Sequence, residues 1–151
     1  MLLHPLADTR RVLPLERRGE LLQAHPDFQL VISYNPGYQG LHKRLKPSTR
    51  QRFVALAFDY PDEAREAQIV AHEGGVDADL ALRLVRLARR TRQLVDEGLD
   101  EGASTRMLVH AAHLVGAGRS PLAAARQAIA EPLSDEPELA AALHALVDAS
   151  F

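Results

Sequence analysis

The chain has 151 residues, 46% of them hydrophobic and 25% charged, and a net charge of −2 at pH 7. These values suit one soluble domain, or one domain with an appendage, with enough apolar residues for a core. Disulfide scaffolds and thiol chemistry are excluded because there is no cysteine, and the slightly negative charge gives no overall attraction to nucleic acid. No apolar run reaches the roughly 20 residues that span a bilayer, and the start lacks a signal-peptide pattern, so we expect a cytoplasmic protein without a membrane partner.

Residues 1–60 have the pattern of an α/β layer. Residues 9–15 predict a short extended edge segment. The continuous apolar run Leu30-Val31-Ile32 is typical of a strand buried on both faces of a parallel sheet. A basic helix is predicted over residues 41–51, and a second buried strand over Phe53–Phe58. The first part of the chain is therefore predicted to contain two neighbouring central strands.

Residues 61–151 predict a helical bundle. Helices are expected over residues 62–72, 77–95, 104–115 and 121–130, and a last one is expected to be capped by Ser134 or Asp135. The longest has an apolar stripe at helical spacing, formed by Leu80, Leu84, Leu87, Thr91 and Leu94. Such a stripe is typical of a helix that packs one face against a core.

Asn35 follows the first predicted buried strand, within Ser33-Tyr34-Asn35-Pro36-Gly37. Ligands bind at the carboxyl ends of strands in open α/β sheets, and a short amide there can orient a water toward a terminal phosphate. An Asn-Pro-Gly tripeptide also forms turns without any function. The residue types alone leave both a phosphate-sensing role and a purely structural role open.

Arg50 and Arg52 stand immediately before the second predicted strand. An arginine projecting from this position can reach a phosphate on a neighbouring subunit and stabilise the charge of the transition state. The alternatives are a solvated basic helix face and a nucleic-acid patch over residues 42–52. Only Tyr34 and Tyr38 are close enough in sequence for base stacking, which disfavours nucleic acid.

Arg106 falls in the first turn of a predicted helix whose N-cap is Ser104. The N-terminus of a helix favours an anion, and a guanidinium there can grip phosphate oxygens with two hydrogen bonds. The alternative is an ordinary exposed helix arginine. A cation at this end of a helix is mildly unfavourable, which favours a functional reason for its presence.

The sequence gives little support for a metal site or for nucleophilic catalysis. His110 and His113 are three residues apart and could share a helix face. A zinc site needs three or four converging ligands, and no further ligand stands at a suitable spacing. We therefore expect no metal site, and the serines and histidines form no recognisable catalytic constellation.

Several motifs together resemble the C-terminal portion of a MoxR-clade AAA+ ATPase of the CbbQ/NirQ/NorQ branch. They are the segment around Asn35, the lead-in His25-Pro26-Asp27-Phe28, the stretch Lys46–Phe53 and the stretch Glu101–Arg106. The resemblance implies a partial AAA+ α/β core with the sensor-1 strand and the last strand. A helical lid and the family's C-terminal helices follow. In this sequence the core corresponds to residues 1–60 and the lid with the C-terminal region to residues 61–151.

The resemblance also implies roles for single residues. Asn35 matches the sensor-1 position, and Arg106 matches sensor 2, which contacts the terminal phosphate from the lid. Arg52 matches the arginine finger that acts across a subunit boundary, with Arg50 as the second candidate. Members of the family use ATP and Mg²⁺ and form rings of full-length subunits, usually hexamers. They act as remodelling or maturation chaperones for client metabolic enzymes such as rubisco or nitric oxide reductase, with a partner that carries a von Willebrand factor A domain.

The sequence departs from the family pattern in its phosphate-binding motifs. It contains no Gly-x-x-x-x-Gly-Lys-[Ser/Thr] loop and no apolar strand ending in the acidic residues of a Walker B motif. We therefore expect a C-terminal fragment that does not hydrolyse ATP alone. The Walker A strand would lie between the two predicted strands, so both would expose unpaired backbone groups. The alternative is a non-catalytic helical interaction module or a decayed gene fragment without ATPase activity.

Overall fold

The computed structural model describes residues 4–33 and 46–151. It divides the chain into two compact units, residues 1–57 and 58–151, whereas the sequence predicted a boundary after residue 60. Asn35 lies outside the described residues. The two units are described separately below.

The first unit contains a β-hairpin. Strand β1, Val12–Leu15, pairs antiparallel with strand β2, Glu20–Gln23, so that Leu13 lies opposite Leu22. Gly19 in the turn has a φ of 64°, which glycine adopts without steric cost. The sequence predicted an extended segment where β1 lies, but it did not predict β2.

The two predicted buried strands are wrong for the described residues. The sheet there contains only β1 and β2. Residues 29–33 and 53–58 belong to no strand, and Val31, Val54 and Phe58 are 85%, 93% and 91% exposed. A central strand is stabilised by hydrogen bonds to neighbours on both edges, and these segments have no such neighbours among the described residues. The expected α/β layer is therefore not confirmed among residues 4–33 and 46–151, whose structure is mostly helical with one small sheet.

The predicted helix over residues 41–51 is confirmed only in its last part. A single turn of helix, α1, spans Pro47–Arg50, with Pro47 in its first turn. Proline is suited to that position because it has no N–H to satisfy and its φ is already helical. Residues 41–45 lie outside the described ranges.

The second unit is a helical bundle, as predicted. Its helices are α2 (Glu63–Gly74), α3 (Ala78–Gln93), α4 (Thr105–Gly116), α5 (Pro121–Ala125), α6 (Glu131–Leu133) and α7 (Pro137–Asp148). A 3₁₀ turn, Leu94–Glu97, extends α3, and a π-helical turn, Arg126–Ala130, joins α5 to α6. Within the described part of the chain, no helix is both long enough and apolar enough to cross a bilayer.

The helix ends follow local capping rules. Asp62 and Asp77 accept hydrogen bonds of 2.8 Å from the backbone N–H groups of Arg65 and Leu80, at the starts of α2 and α3. The predicted cap of the last helix is wrong, because α7 begins at Pro137 and Glu136 occupies its N-cap position. Proline at the first helical position fixes this later start.

The core of the bundle forms around α3. Leu80, Leu84, Leu87 and Thr91 of the predicted stripe are all buried. The larger fully buried apolar side chains from elsewhere in the bundle are Val70, Leu99, Leu108, Ile129, Leu143 and Val147. The last turn of α3 is hydrogen-bonded to Ala103, in the segment that leads into α4.

Candidate functional site at the start of helix α4

Arg106 occupies the first turn of α4 and is exposed. Its side chain makes no ion pair or hydrogen bond with any described residue. Ser104 stands at the N-cap, as predicted, but its side chain accepts no capping hydrogen bond, and the first turn holds no acidic residue. The start of α4 therefore combines an unpaired guanidinium with helix N–H groups that no side chain caps, which together favour an anion.

A buried ion pair lies next to this helix start. Nη1 and Nη2 of Arg92, in the last turn of α3, donate hydrogen bonds of 2.8 and 2.7 Å to the two carboxylate oxygens of Glu66. The Glu66 side chain is 0% exposed and that of Arg92 is 12% exposed. A two-bond arginine–carboxylate pair is stronger and more directional than a single contact.

The same two side chains hold the segment that leads into α4. Glu66 also accepts a 2.7 Å hydrogen bond from the Thr105 hydroxyl, and Nε of Arg92 donates to the Ala103 carbonyl at 2.9 Å. The Ala103 N–H donates to the buried Thr91 hydroxyl at 3.0 Å. These five residues, Glu66, Thr91, Arg92, Ala103 and Thr105, are here called the Glu66–Arg92 network. It fixes the backbone of the connection to α4 from both α2 and α3.

Gly102 permits the close approach of this connection to α3. A Cβ at this position would lie 2.5 Å from the Cα of Arg92 and 2.9 Å from its backbone nitrogen. Both distances are shorter than a real Cβ contact, and backbone atoms cannot rotate away as a side chain can. Glycine is therefore needed here for packing.

Tyr60 closes one face of the Arg92 guanidinium. The Cζ of Arg92 lies 3.6 Å from the centroid of the Tyr60 ring, which is the geometry of a cation–π contact. Tyr60 is 41% exposed and belongs to the segment that precedes α2. The guanidinium of Arg92 is thus held in its plane by hydrogen bonds to α2 and to the segment before α4. One of its faces packs on the Tyr60 ring.

The surroundings of Glu66 lower its pKa. Burial alone would raise it, but the hydrogen bonds from Arg92 and Thr105 and the positive charge of Arg92 outweigh burial. The carboxylate is therefore the stable form of Glu66 in the folded protein.

This shift predicts acid sensitivity of the helical bundle. A folded-state pKa below the unfolded value stabilises the fold above the unfolded pKa, about 4.3 for glutamate. That stabilisation is lost as the pH falls through the folded value. We expect the free energy of unfolding, measured by urea titration and far-UV circular dichroism, to fall as the pH drops below about 4.3. The Glu66→Gln variant should lack this part of the dependence, and an unchanged acid slope in that variant would show that other carboxylates cause it.

Arg50 and Arg52 lie in the first unit, at the end of α1 and just after it, and both are exposed. The guanidinium of Arg52 donates a hydrogen bond to the Ser48 carbonyl. Arg106 belongs to the second unit. Asn35 lies outside the described residues, so the sharing of one site by Asn35, Arg52 and Arg106 stays a prediction.

The sequence reading missed Glu66, Arg92 and Tyr60. A glutamate and an arginine on separate helices give no local pattern that marks them as partners. One signal was present, because Arg92 directly follows Thr91 of the apolar stripe and a long cation beside a buried stripe often needs a buried partner. The partner itself is determined only by the packing of α2 against α3.

The two histidines considered as metal ligands, His110 and His113, lie on the exposed surface of α4. His110 is exposed, and Nε2 of His113 lies 2.9 Å from the Glu73 carbonyl, within hydrogen-bonding distance. Within residues 4–33 and 46–151, no group of three or more potential ligands is placed to hold a metal ion.

Comparison with known proteins identifies the family. The family model described as CbbQ/NirQ/NorQ C-terminal matches residues 66–150, more than half of the chain. The chain belongs to this family, which confirms the resemblance seen in its motifs. All members of the Glu66–Arg92 network, and Arg106, lie inside the matched region.

The curated relatives are longer proteins. The chain is 54% identical over 151 residues to Protein CbbQ of Hydrogenophilus thermoluteolus, covering 100% of this chain and 57% of that protein. It is 59% identical over 146 residues to the Denitrification regulatory protein NirQ of Pseudomonas aeruginosa, covering 97% and 56%. It is 52% identical over 151 residues to Protein NorQ of Paracoccus denitrificans, covering 100% and 56%. The chain thus spans little more than half the length of these relatives and matches their C-terminal part.

Proposed function

We propose that this chain is the sensor and lid part of an AAA+ ATPase that remodels or matures a client metabolic enzyme. The observation that carries the proposal is Arg106, an exposed and unpaired arginine in the uncapped first turn of α4. A guanidinium and helix N–H groups at one place suit the terminal phosphate of a nucleotide. Family membership supports the same conclusion.

The cofactors of the proposed function are ATP and Mg²⁺. The start of α4 fits a phosphate because it is cationic and its first turn carries no acidic residue. The Mg²⁺ ligands and the main phosphate loop would come from the part of the relatives that this chain does not span. ATP bound there would supply the free energy for remodelling, and Arg106 would bind its terminal phosphate from the lid.

Three further residues have proposed roles in the same site. Asn35 would be sensor 1 and would orient the attacking water. Arg52, with Arg50 as the second candidate, would be the arginine finger that reaches the phosphate of a neighbouring subunit. The exposure of both arginines leaves them available for a neighbour. A site shared between subunits requires an oligomer, which we propose to be a hexameric ring of full-length subunits in the cytoplasm. A von Willebrand factor A domain protein and a client enzyme would be its partners.

A second candidate is a non-catalytic module that docks onto such subunits or onto their client. The observation that favours it is the segment after α1, which belongs to no helix or strand and in which Val54 and Leu56 are 93% and 78% exposed. Exposed apolar side chains in an unpaired segment are suited to pairing with another chain. This candidate requires no response of Arg106 to nucleotide, so the experiment below separates the two.

The experiment uses a chimera in which this chain replaces the matching part of Pseudomonas aeruginosa NirQ. Arg106→Ala is expected to raise the ATP concentration for half-maximal binding or turnover by about 10- to 150-fold. This range corresponds to about 1.5–3 kcal/mol for a hydrogen bond to a charged group. Binding is measured with a fluorescent ATP analogue and Mg²⁺, and turnover by phosphate release.

Arg119→Ala is the matched control. Arg119 is an exposed arginine just beyond the other end of α4, and its removal should change neither quantity more than about twofold. If Arg106→Ala behaves like this control, the sensor-2 role is wrong and the non-catalytic candidate is favoured.

A further inference from the structure

We propose that Arg92 is a positioning residue for Arg106 and that it couples the start of α4 to the segment by which the chain enters the helical bundle. This inference rests on the proposed function, because it assumes that Arg106 contacts nucleotide. Arg92 itself contacts no nucleotide in this proposal. It acts through the Glu66–Arg92 network on one side and through Tyr60 on the other.

The first step of the argument is the number of segments that Arg92 joins. Its terminal nitrogens bind Glu66 in α2, its Nε binds the Ala103 carbonyl before α4, and one face of its guanidinium packs on Tyr60. Each contact comes from a different segment of the bundle. A planar guanidinium with a fixed fork cannot turn toward one partner without weakening its bonds to the others.

The second step leads from Arg92 to Arg106. Arg92 Nη2 and the Thr105 hydroxyl share one carboxylate oxygen of Glu66, each at 2.7 Å, and Thr105 is the residue before Arg106. Ser104 supplies no side-chain cap for this helix. The network leaves the N–H groups of the first turn uncapped, but it holds Ala103 and Thr105 and so determines where the first turn of α4 lies.

The third step leads from Arg92 to the start of the bundle. Tyr60 lies three residues beyond the division between the two units, in the segment that enters α2. Its ring is 41% exposed, so only one side of it is committed to the bundle. A movement of this entering segment would shift Tyr60 relative to Arg92. Through Glu66 and Ala103, that shift would change the position of the first turn of α4.

The test is a double-mutant cycle in the NirQ chimera, with kcat and KM for ATP as readouts. Arg92→Lys keeps the charge that Glu66 needs but loses the fork and the Nε bond. We expect it to change KM by about tenfold when Arg106 is present and by less than about twofold in the Arg106→Ala background. Tyr60→Leu should give a smaller change of the same kind, about two- to fivefold, and Tyr60→Phe should restore the original value because it keeps the ring.

The outcomes separate the inference from the function on which it rests. Equal fold-changes for Arg92→Lys with and without Arg106 would mean that Arg92 is only structural, and the inference would be overturned while the sensor-2 role stands. No effect of Arg106→Ala alone would overturn both. If Arg92→Lys fails to assemble, Thr105→Val carries the same cycle, because it removes one hydrogen bond and no charge. Independence of Thr105→Val from Arg106 would then overturn the inference.

Discussion

Replacing Arg92 with alanine is expected to lower the free energy of unfolding of the helical bundle by about 3–5 kcal/mol. The substitution removes the ion-pair partner of Glu66, whose side chain is 0% exposed. Glu66 would then keep only the Thr105 hydroxyl as a side-chain partner. An unpaired buried carboxylate must either remain charged in an apolar surrounding or take up a proton. The expected loss is a large part of the roughly 5–15 kcal/mol that stabilises a typical domain.

The measurement is a urea titration of the 151-residue chain followed by far-UV circular dichroism, which reports mainly on the helices of the second unit. Arg90→Ala is the matched control, since Arg90 is an exposed arginine on the same helix and makes no ion pair with the described residues. Its effect should stay within about 0.5 kcal/mol. Removing both charges together, as Glu66→Leu with Arg92→Met, should recover most of the stability, because no unpaired charge then remains.

A loss below about 1 kcal/mol in Arg92→Ala would contradict this account. It would mean that water or another cation reaches Glu66. Arg89 is the alternative because its positive charge also lowers the pKa of Glu66, but its Nε already lies 3.7 Å from a carboxylate oxygen of Glu63. Arg89→Ala combined with Arg92→Ala would show whether that arginine had replaced Arg92.

The helical bundle could be predicted from the sequence because its signals are local. Asp62 and Asp77 cap α2 and α3 at positions that the sequence marks, and the spacing of Leu80, Leu84 and Leu87 alone indicates which face of α3 is buried. The start of α4 after Ser104 was also predicted, although the Ser104 side chain accepts no capping hydrogen bond. These features depend on residues a few positions apart, so they need no knowledge of the rest of the fold.

The prediction of two buried strands was wrong for the described residues because a central strand depends on neighbouring strands from other parts of the chain. The apolar run Leu30-Val31-Ile32 and the segment Phe53–Phe58 have the composition of buried strands. Their burial requires hydrogen-bonded neighbours, and among the described residues these segments have none. Strand β2 was not predicted because Glu20–Gln23 carries no strong strand pattern, and all four of its residues are exposed.

The residues of the candidate site also differ in whether their sequence signals are local. Arg106 could be proposed from the sequence because a cation in the first turn of a helix is locally unfavourable and therefore informative. Arg92 and Glu66 could not be found as a pair, since they are 26 residues apart and meet only when α2 packs on α3. Gly102 was noticed only as part of a motif, and its physical reason, the approach to the backbone of Arg92, is visible only in the folded chain.

Gly102→Ala is expected to destabilise the bundle by about 1–3 kcal/mol, the usual cost of overpacking a well-packed site. The added methyl group would lie 2.5 Å from the Cα of Arg92 and 2.6 Å from its Cγ. Since the Cα belongs to α3, relief of the overlap requires the connection before α4 to move away from that helix. The movement would stretch the hydrogen bonds from Ala103 to Thr91 and Arg92.

Gly116→Ala provides the matched control for the same chemical change. Gly116 ends α4, and a Cβ there would meet nothing within 4 Å. This variant should be neutral or slightly stabilising, because alanine is favoured over glycine in a helix by up to about 1 kcal/mol. Urea titrations of the two variants therefore separate the packing cost from the effect of glycine on the unfolded chain. Equal stabilities would mean that the connection can move away from α3 at no cost.

The combination of Gly102→Ala with Arg92→Ala decides whether the glycine acts through the network. Independent sites add their effects on unfolding free energy, whereas sites that share partners do not. Arg92→Ala removes the guanidinium bond to Ala103 and the side-chain Cγ that the new methyl group would meet. The double variant should therefore lose less stability than the sum of the single losses. If the two losses of unfolding free energy add fully, the overlap caused by Gly102→Ala involves only the backbone of α3. The Glu66–Arg92 network would then not contribute to the effect of the substitution.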